Sequence, residues 1–433
     1  MKITVVALGK IGLPLAVQFA RKGHTVIGAD VNELVVKSVN QGVEPFPGEA
    51  HLAEYLYDVV KKSKLCATTD ITDAVTQSDA VVVVVPLYVD AQGNPDFGMM
   101  DSATAAIGQG LQPGTLVSYE TTVPVGTTRN RIAPALEKSS GLKAGEDFHL
   151  VFSPERVFTG RFFADLRKYP KLVGGISLES RARGVKFYED VLDFDPRPDL
   201  ERSNGVWDLG SCEASELAKL AETTYRDVNI ALANQFALFS EKHGINFKEV
   251  IDASNSQPFS HIHQPGIAVG GHCIPVYPYF YLWNDPGATV VSAARNANES
   301  MPTHVVNTLA REHGNLRGQR VVVLGAAYRR GVKETAFSGV FPTVLALEKL
   351  GATVLVHDPM YSDVELGQMG FKPYNYGQPV EAAIVQTDHL EYMDLVSNKL
   401  PGVQTIVDGR GILKESNWRG VHFRILGRGV IND

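Results

Sequence analysis

The sequence has few cysteines, no run of basic residues and no long apolar segment. Cysteine occurs three times in 433 residues, at Cys66, Cys212 and Cys273, which argues against a disulfide framework and favours a reducing compartment. The formal net charge of −7 argues against a nucleic-acid binder that relies on bulk positive charge. A membrane span needs ~18 consecutive apolar residues, and neither such a stretch nor a signal-peptide pattern is found. We therefore expect a cytoplasmic globular protein of two or three domains.

The N-terminal region alternates strand patterns with helix patterns. MKITVVAL, HTVIGAD and DAVVVVVP (79–86) are continuously apolar at their centres, as strands buried on both faces of a parallel sheet are. Between the first two, IGLPLAVQFARKG is helix-periodic and ends at Gly23. This alternation predicts a doubly wound α/β domain over residues 1–205.

The middle of the chain has a different pattern, and the last third returns to the first one. Residues 211–244 contain no proline and no glycine before Gly244, and apolar residues recur every three or four positions, which predicts one long helix. We expect this helix to join two α/β domains and to form a homodimer contact, although it could instead pack only on its own domain. The helical central region is predicted over 206–314, and a second Rossmann-like domain over 315–433.

The turn VVALGKIGLPLA resembles the fingerprint G-x-G-x-x-G, but its first glycine is replaced by Ala7. Gly9 is the position at which the backbone approaches a pyrophosphate, and Gly12 permits close packing of helix on strand. Alanine costs little at the first position if its φ is negative. Asp30, at the end of the second strand, can accept hydrogen bonds from both ribose hydroxyls and would repel a 2′-phosphate. The pattern favours bound NAD, and the alternative is an empty Rossmann-like domain.

The segment GGHC (270–273) presents a thiol on a turn with two glycines. Two glycines let a backbone turn tightly against a ligand, whereas a buried structural cysteine, the usual interpretation, rarely needs them. A metal site is the other alternative, with His261, His263, His272 and Cys273 as candidate ligands. The spacing of these residues matches no common zinc pattern.

Six segments together resemble the UDP-glucose/GDP-mannose dehydrogenase family of NAD-dependent, four-electron nucleotide-sugar 6-dehydrogenases. In chain order they are VVALGKIGLPLA, TTVPVGTT (121–128), FSPERVFTG (152–160), SELAKLAETTY (215–225), QPGIAVGGHCIPV (264–276) and VVVLGAAYR (321–329). The likeness covers nearly the whole chain. It implies an NAD-binding domain, a helical dimerisation region that carries the catalytic cysteine loop, and a nucleotide-sugar-binding third domain.

The same resemblance implies a chemical role for particular residues. Cys273 would form a thiohemiacetal and then a thioester with C6 of the sugar, and Lys219 would stabilise the oxyanion and the thiolate. Glu155 would position or deprotonate water, Thr122 would hold the water and the nicotinamide, and Thr223 replaces an asparagine that shares the oxyanion. The implied cofactor contacts are Gly9, Lys10, Ile11, Gly12, Asp30 and Thr122. The implied substrate contacts are Glu155, Phe158, Lys219, Thr223, His263, Gly266, Gly270 and Arg329.

Three departures from the family pattern leave other functions open. Tyr277 replaces an aspartate that assists hydrolysis, Ala336 replaces an arginine that contacts NAD, and Leu87 replaces a threonine at the cofactor. They motivate a non-catalytic nucleotide-sugar-binding protein, although the catalytic set itself is retained. A two-electron hydroxy acid dehydrogenase leaves GGHC and the last domain unexplained. Within the favoured class we expect a UDP-glucose 6-dehydrogenase type, with UDP-N-acetylglucosamine, UDP-N-acetylmannosamine or dTDP-glucose as alternative substrates, and no metal.

Overall fold

Two units make up the chain in the computed structural model, which describes residues 1–90, 92–158 and 160–430. The first unit consists of Met1–Glu222 and Tyr279–Asp285, and the second of Thr223–Pro278 and the chain from Pro286 onward. The expected domain boundaries at 205 and 314 stay a prediction, because the expected central region contributes residues to both units.

The first unit is built on a sheet to which eight of the described strands belong. The strands of this unit are β1 (Lys2–Val6), β2 (Thr25–Ala29), β3 (Leu65–Thr68), β4 (Ala80–Val83), the short pair β5 (Tyr88–Val89) and β6 (Pro95–Asp96), β7 (Leu116–Tyr119), β8 (His149–Phe152), β9 (Lys171–Gly175) and β10 (Val206–Ser211). The sheet order is β10-β9-β8-β7-β4-β1-β2-β3. All neighbouring pairs in it are parallel except β8 with β9. From β3 to β8 this is the Rossmann order 3-2-1-4-5-6.

Helices cover this sheet, as its apolar strands require. They are α1 (Gly12–Arg21), α2 (Glu33–Asn40), α3 (Leu52–Lys61), α4 (Ile71–Thr76), α5 (Gly98–Gly110), α6 (Ala133–Ser140), α7 (Phe162–Lys168) and α8 (Leu178–Val191), with a π-helical turn at Thr128–Ile132. Every residue of β4 and of β7 is buried, so the continuous apolar runs correspond to strands covered on both faces. Val5, Leu15 and Phe19 lie in the core between the sheet and α1.

A late segment of the chain completes the first unit. Asn284, from the segment Tyr279–Asp285, accepts a hydrogen bond from the Val125 N–H at 2.8 Å. Its amide also donates to the Val125 carbonyl at 3.0 Å. Both backbone groups of Val125 are thereby satisfied by a residue 159 positions away.

Helix α9 (Cys212–Lys242) runs from the first unit into the second and confirms the predicted long helix. Its sequence has no internal proline or glycine to interrupt it. The chain then turns at Gly244, which has a φ of +68° that glycine adopts at little cost. Ala233 and Ala237 are buried, whereas Leu232, Phe236 and Phe239 remain exposed along the helix.

The second unit contains a parallel sheet that includes five of the described strands. Its elements are α10 (Phe247–Asn255), α11 (Tyr277–Asn284, which continues into the first unit), α12 (Thr289–His313), β11 (Arg320–Leu324), α13 (Val340–Lys349), β12 (Thr353–His357), α14 (Asp363–Gln368), β13 (Ala382–Val385), β14 (Thr405–Asp408) and β15 (His422–Ile425). Short 3-10 turns occur at Leu390–Tyr392, Ser397–Lys399 and Glu415–Asn417. The order β12-β11-β13-β14-β15 is the doubly wound order 2-1-3-4-5. The predicted fold class is therefore confirmed: two doubly wound domains share a long helix. Among the residues that the structure describes, no helix is both long and apolar enough to cross a membrane.

Candidate active site

The turn after β1 keeps the predicted position but not the expected conformation of Ala7. Its φ is +73°, in the left-handed region, so the condition under which alanine costs little is not met. A left-handed residue with a Cβ costs about 1–2 kcal/mol. The Ala7 N–H donates to the Ala29 carbonyl of β2 at 2.8 Å, which holds the turn in this strained conformation.

Gly9 and Gly12 each leave space for a different neighbour. A Cβ built at Gly9 meets no heavy atom within 4 Å, so the turn is open to a ligand at this position. A Cβ at Gly12 would lie 1.9 Å from the Ala7 carbonyl oxygen, so glycine is required for α1 to begin this close to β1. Lys10 and Ile11 lie in the same turn. The N–H groups and the dipole at the start of α1 favour a bound phosphate, so the turn fits a pyrophosphate.

Asp30 lies immediately after β2, where its carboxylate orders the turn. Its Oδ2 accepts a hydrogen bond from the Leu8 N–H at 2.7 Å, and its Oδ1 accepts one from the Asn32 N–H at 2.9 Å. A carboxylate has about four acceptor positions, so two backbone donors leave room for two ribose hydroxyls. Its negative charge would also repel a 2′-phosphate.

The segment 121–128 follows β7 and carries Thr122, whose side chain is buried. Glu216 of α9 holds the far end of this segment. Its carboxylate accepts hydrogen bonds from the Gly126 N–H at 2.5 Å, the Thr128 N–H at 2.9 Å and the Thr128 hydroxyl at 2.6 Å. Burial raises the pKa of Glu216 to about 7, against the stabilising effect of these three donors. The backbone that carries Thr122 is thus fixed from α9.

Glu155 belongs to a buried cluster that is centred on Lys171. The Lys171 ammonium lies 2.8 Å from Glu155 Oε2 and 2.6 Å from Glu120 Oε2. The Tyr188 hydroxyl donates to Glu120 Oε1 at 2.7 Å, and the Arg156 N–H donates to Glu155 Oε1 at 2.7 Å. The three charged side chains are less than 10% exposed, so water screens them little.

One ammonium cannot fully neutralise two buried carboxylates, and the two glutamates differ accordingly. Burial would raise the pKa of Glu155, but the charge and hydrogen bond of Lys171 outweigh this and hold that pKa below its usual value. Burial raises the pKa of Glu120 to about 7 despite the same lysine, and the charge of Glu155 adds to the increase. At neutral pH, Glu155 is therefore ionised and able to accept a proton, whereas Glu120 is partly protonated.

Lys219 and Thr223 lie one turn apart on α9, and both side chains are buried. Residues four apart on a helix project from the same face, so the sequence places an ammonium and a hydroxyl side by side. The Lys219 side chain is only 6% exposed, so it does not lie on a solvated face of the helix.

The loop that carries Cys273 uses each of its two glycines for a physical reason. Gly271 has a φ of +93°, and its N–H donates to the Ala336 carbonyl at 2.8 Å. A Cβ at Gly270 would lie 2.6 Å from the Tyr328 Cβ, so the loop could not approach the turn after β11 with a larger residue. Ala336, which replaces the family's arginine, thus supports the cysteine loop through its backbone.

The three thiols have different environments. Cys212 is fully buried, and burial raises the pKa of its thiol well above the usual value. Cys66 is exposed on β3, and partial burial of its sulfur raises its pKa as well. Cys273 is partly exposed, and its carbonyl accepts the Tyr277 N–H at 2.9 Å where α11 begins. Cys273 therefore combines access with a backbone that is fixed on both sides.

The histidines near Cys273 do not form a metal site in the described part of the chain. His272 Nε2 lies 3.6 Å from Glu334 Oε2. Within residues 1–90, 92–158 and 160–430, no group of three or more His, Cys, Asp or Glu side chains is arranged to hold a metal ion. Burial and the nearby charge of Arg226 lower the pKa of the half-buried His263, so it is neutral at pH 7.

The remaining predicted substrate contacts are divided between the two units. Arg329 Nε donates to the Tyr328 hydroxyl at 3.1 Å, and Tyr328 is the residue that Gly270 approaches, so Arg329 lies near the cysteine loop. A Cβ at Gly266 would lie 2.6 Å from an Arg410 nitrogen. Phe158, in the first unit, is exposed.

Sequence reasoning did not identify Lys171, Glu120 or Glu216. Lys171 begins the otherwise apolar strand KLVGG, and a charged residue in a fully buried strand is a usable signal. Glu120 follows the buried strand β7 directly, and Glu216 lies within the same helical segment as Lys219. None of these residues is close in sequence to its partner: Lys171 and Glu120 are 51 positions apart.

Comparisons with known proteins identify the family to which these domains correspond. The sequence matches three domain profiles of the UDP-glucose/GDP-mannose dehydrogenase family: the NAD binding domain over residues 1–192, the central domain over 213–300 and the UDP binding domain over 322–415. It is 34% identical to UDP-N-acetyl-D-mannosamine dehydrogenase from Pyrococcus horikoshii, over 100% of both chains.

Solved structures give the same relationship. A structure of UDP-D-ManNAc dehydrogenase from Pyrococcus horikoshii superposes with a TM-score of 0.88 at 31% identity, over 100% of both chains. A UDP-glucose dehydrogenase from Pyrobaculum islandicum superposes with a TM-score of 0.85 at 26% identity, over 98% of this chain and 96% of that one. The chain therefore belongs to the UDP-glucose/GDP-mannose dehydrogenase family, and its N-terminal region is the NAD binding domain of that family.

Proposed function

We propose that the protein oxidises C6 of a UDP-N-acetylhexosamine, with UDP-N-acetyl-D-mannosamine as the favoured substrate, to the corresponding uronate. The observation that carries this proposal is the partly exposed Cys273 thiol on a loop fixed by Gly270 and Gly271. A two-electron alcohol dehydrogenase has no need of a nucleophile at this point. A four-electron enzyme does, because an aldehyde gives up a hydride readily only after a nucleophile has added to it.

The proposed substrate differs from UDP-glucose, the substrate that the sequence analysis favours. A relative that is 34% identical over the full length carries the UDP-N-acetyl-D-mannosamine name. Among the superposed structures, the UDP-D-ManNAc dehydrogenase is 31% identical and the UDP-glucose dehydrogenase is 26% identical. The two structural superpositions are nearly equal, so the fold does not separate the sugars. The sequence relationship therefore supports the N-acetylmannosamine alternative over the glucose one.

The first unit offers a site that fits NAD. Gly9 would lie against the pyrophosphate, Gly12 would set the position of α1, and Asp30 would accept the ribose hydroxyls, with Lys10 and Ile11 in the same turn. When bound, NAD accepts a hydride from the sugar carbon in each of two successive oxidations.

Cys273 and Lys219 would carry the covalent part of the reaction. The first oxidation converts the C6 alcohol to an aldehyde and releases a proton. The Cys273 sulfur then forms a bond to C6, giving a thiohemiacetal whose loss of a hydride and a proton leaves a thioester. The Lys219 ammonium, assisted by the Thr223 hydroxyl, would stabilise negative charge on the C6 oxygen at each tetrahedral stage.

Glu155 would complete the reaction by activating water. Lys171 keeps its carboxylate ionised, so Glu155 can take a proton from water while the oxygen bonds to the thioester carbon. Collapse of that adduct breaks the C–S bond, and the sulfur leaves as a thiolate while the carboxylate product forms. Tyr277 stands where the family has an aspartate, so we assign this step to Glu155.

Helix α9 would also form a homodimer, as the sequence predicts. Leu232, Phe236 and Phe239 are 43%, 39% and 56% exposed, and their spacing of four and three residues places them on one face of the helix. Burial of these side chains against a second copy would recover roughly 25 cal/mol for each Å² of apolar surface removed from water. A cytoplasmic location, expected from the composition, stays a prediction.

The test is the yield of NADH per nucleotide sugar, measured with UDP-N-acetyl-D-mannosamine, UDP-N-acetyl-D-glucosamine, UDP-glucose and dTDP-glucose. The proposal expects two NADH for each uronate formed and the highest kcat/KM with UDP-N-acetyl-D-mannosamine. One NADH per sugar would instead identify a simple alcohol dehydrogenase. Saturable sugar-nucleotide binding with no NADH would identify the non-catalytic binding protein that Tyr277, Ala336 and Leu87 left open.

A further inference from the structure

Four buried polar side chains form a continuous chain through the second unit. Asp227 and Asn234 lie on α9, and Arg295 and Asn298 lie on α12; each is at most 3% exposed. The Asn234 amide donates to Asn298 Oδ1 at 2.9 Å, and the Asn298 amide donates to Asp227 Oδ1 at 2.8 Å. Arg295 forms an ion pair with Asp227 at 3.3 Å. We refer to these four residues as the polar chain.

The polar chain meets the cysteine loop at both ends. At one end, the Gly266 N–H donates to Asn234 Oδ1 at 2.9 Å. At the other end, Arg295 donates to the carbonyl of Ile274, the residue that follows Cys273, at 3.3 Å. The backbone from 266 to 274 is therefore fastened at each end to the same buried network.

Simple pairing of the two helices does not require this arrangement. Burying an ion pair costs several kcal/mol per ion, and apolar residues of similar size often stabilise a core as well or better. Buried hydrogen bonds such as those from Asn234, Asn298 and Arg295 instead favour the backbone conformation that forms them, because an alternative conformation leaves their buried donors and acceptors without these partners. In this protein the polar chain holds the Gly266 N–H and the Ile274 carbonyl, which are the two backbone groups that anchor the cysteine loop.

We propose that the polar chain is a positioning device for Cys273, with Arg295 as its principal residue. This inference rests on the proposed role of Cys273 as the nucleophile. Arg295 contacts the carbonyl of Ile274, the residue next to Cys273, and would act on Cys273 through that carbonyl. Asn234 acts at the opposite end of the loop, so it is expected to have the smaller effect.

The experiment compares Arg295→Met with Arg295→Lys, which keeps the charge for Asp227 and a donor for Ile274. Arg295→Met should lower kcat with UDP-N-acetyl-D-mannosamine by about 100-fold, the effect of a misplacement of about 1 Å, while KM changes little. The kcat of Arg295→Lys should be much closer to that of the wild type than to that of Arg295→Met.

The second readout is the rate at which iodoacetamide alkylates each cysteine, followed by peptide mass spectrometry. Loosening the loop should raise the rate at Cys273 by about threefold or more, because local opening becomes easier. The rate at exposed Cys66, in the first unit, should not change and serves as the internal reference. This readout needs no substrate. It therefore still tests the polar chain if no nucleotide sugar yields NADH and the proposed function fails.

The matched control is Arg424→Met, the same substitution at an arginine paired with Glu312 of α12 at 2.7 Å. It removes an ion pair to the same helix without touching the loop, so the Cys273-to-Cys66 ratio should equal that of the wild type. If Arg295→Met does not fold, the double variant Asp227→Asn with Arg295→Met removes both buried charges and is tested in its place. An unchanged ratio together with an unchanged kcat in the Arg295 variants would overturn the proposal.

Discussion

Replacing Lys171 by methionine tests the buried cluster around Glu155. The ammonium lies 2.6 Å and 2.8 Å from two carboxylates, and all three groups are buried. Removal of one partner of a buried ion pair costs about 3–5 kcal/mol, and a second carboxylate puts this loss near the upper end of that range. We expect the free energy of unfolding in urea, measured at pH 8, to fall by this amount.

The pH dependence of the loss follows from the direction of the pKa shifts. In the wild type the pKa of Glu155 lies below its usual value, so its contribution to stability is present above that usual value and is lost as pH falls through the lowered pKa. Without Lys171, unopposed burial raises the pKa of Glu155, and the carboxylates destabilise the fold as they ionise. The deficit of Lys171→Met should therefore be larger at pH 8 than at pH 5. The acid limb of kcat should move upward by about one pH unit or more, because Glu155 must be ionised to accept a proton.

Two further variants test whether Lys171 holds the charge of Glu155. Lys186→Met changes an exposed lysine of α8 and should alter stability by less than about 0.5 kcal/mol. Glu120→Gln combined with Lys171→Met leaves one buried carboxylate in place of two and should recover part of the loss. If Lys171→Met is as stable as Lys186→Met at pH 8 and its acid limb is unmoved, then Lys171 does not hold the charge of Glu155.

Four other substitutions have expected outcomes. Cys273→Ser should reduce steady-state NADH formation by several orders of magnitude, because a hydroxyl is a much weaker acid and nucleophile than a thiol; near wild-type turnover with two NADH per sugar would rule out the thioester. Asp30→Ala should weaken the binding of NAD and reduce the preference for NAD over NADP. A comparison of kcat/KM for the two cofactors checks this, and equal use of both by the wild type would contradict the role of Asp30. Ala7→Gly should raise the free energy of unfolding by about 0.5–1 kcal/mol, since it removes left-handed strain at a small entropic cost, and chemical denaturation that shows a loss would contradict this. Phe239→Asp should convert a dimer to a monomer in light scattering, and a wild-type monomer at micromolar concentration would refute the interface.

The sequence was sufficient for the fold because the relevant signals are local. Buried parallel strands are apolar throughout, and the absence of internal proline and glycine from the segment that forms α9 predicts a single helix. The conformation of Ala7 was not predictable in this way. Its φ is set by the bond to Ala29 on the neighbouring strand, which is 22 positions away.

The candidate site was predicted where a motif places the residue and missed where only the fold does. Gly12 and Asp30 stand at fixed offsets from a strand, so their positions could be stated before the structure was known. Lys171, which keeps Glu155 ionised, comes from the separate strand β9, and Arg295 reaches the cysteine loop from a helix that follows the loop in the chain. Residues of this kind become neighbours only when the elements that carry them pack together in the fold. Their sequence signal is limited to a charged or amide residue in an otherwise apolar element.

The late completion of the first unit has a consequence for how the protein is made. On the ribosome, residues 1–222 emerge well before Tyr279–Asp285, the segment in which Asn284 satisfies both backbone groups of Val125. At about 5–20 residues per second, the nascent first unit waits roughly 3–13 s for that segment, while the start of the second unit is already being synthesised. Chaperones that bind nascent chains have this interval in which to act. A stop codon after residue 222 would therefore release a dinucleotide-binding unit that is never finished, and not an independent module.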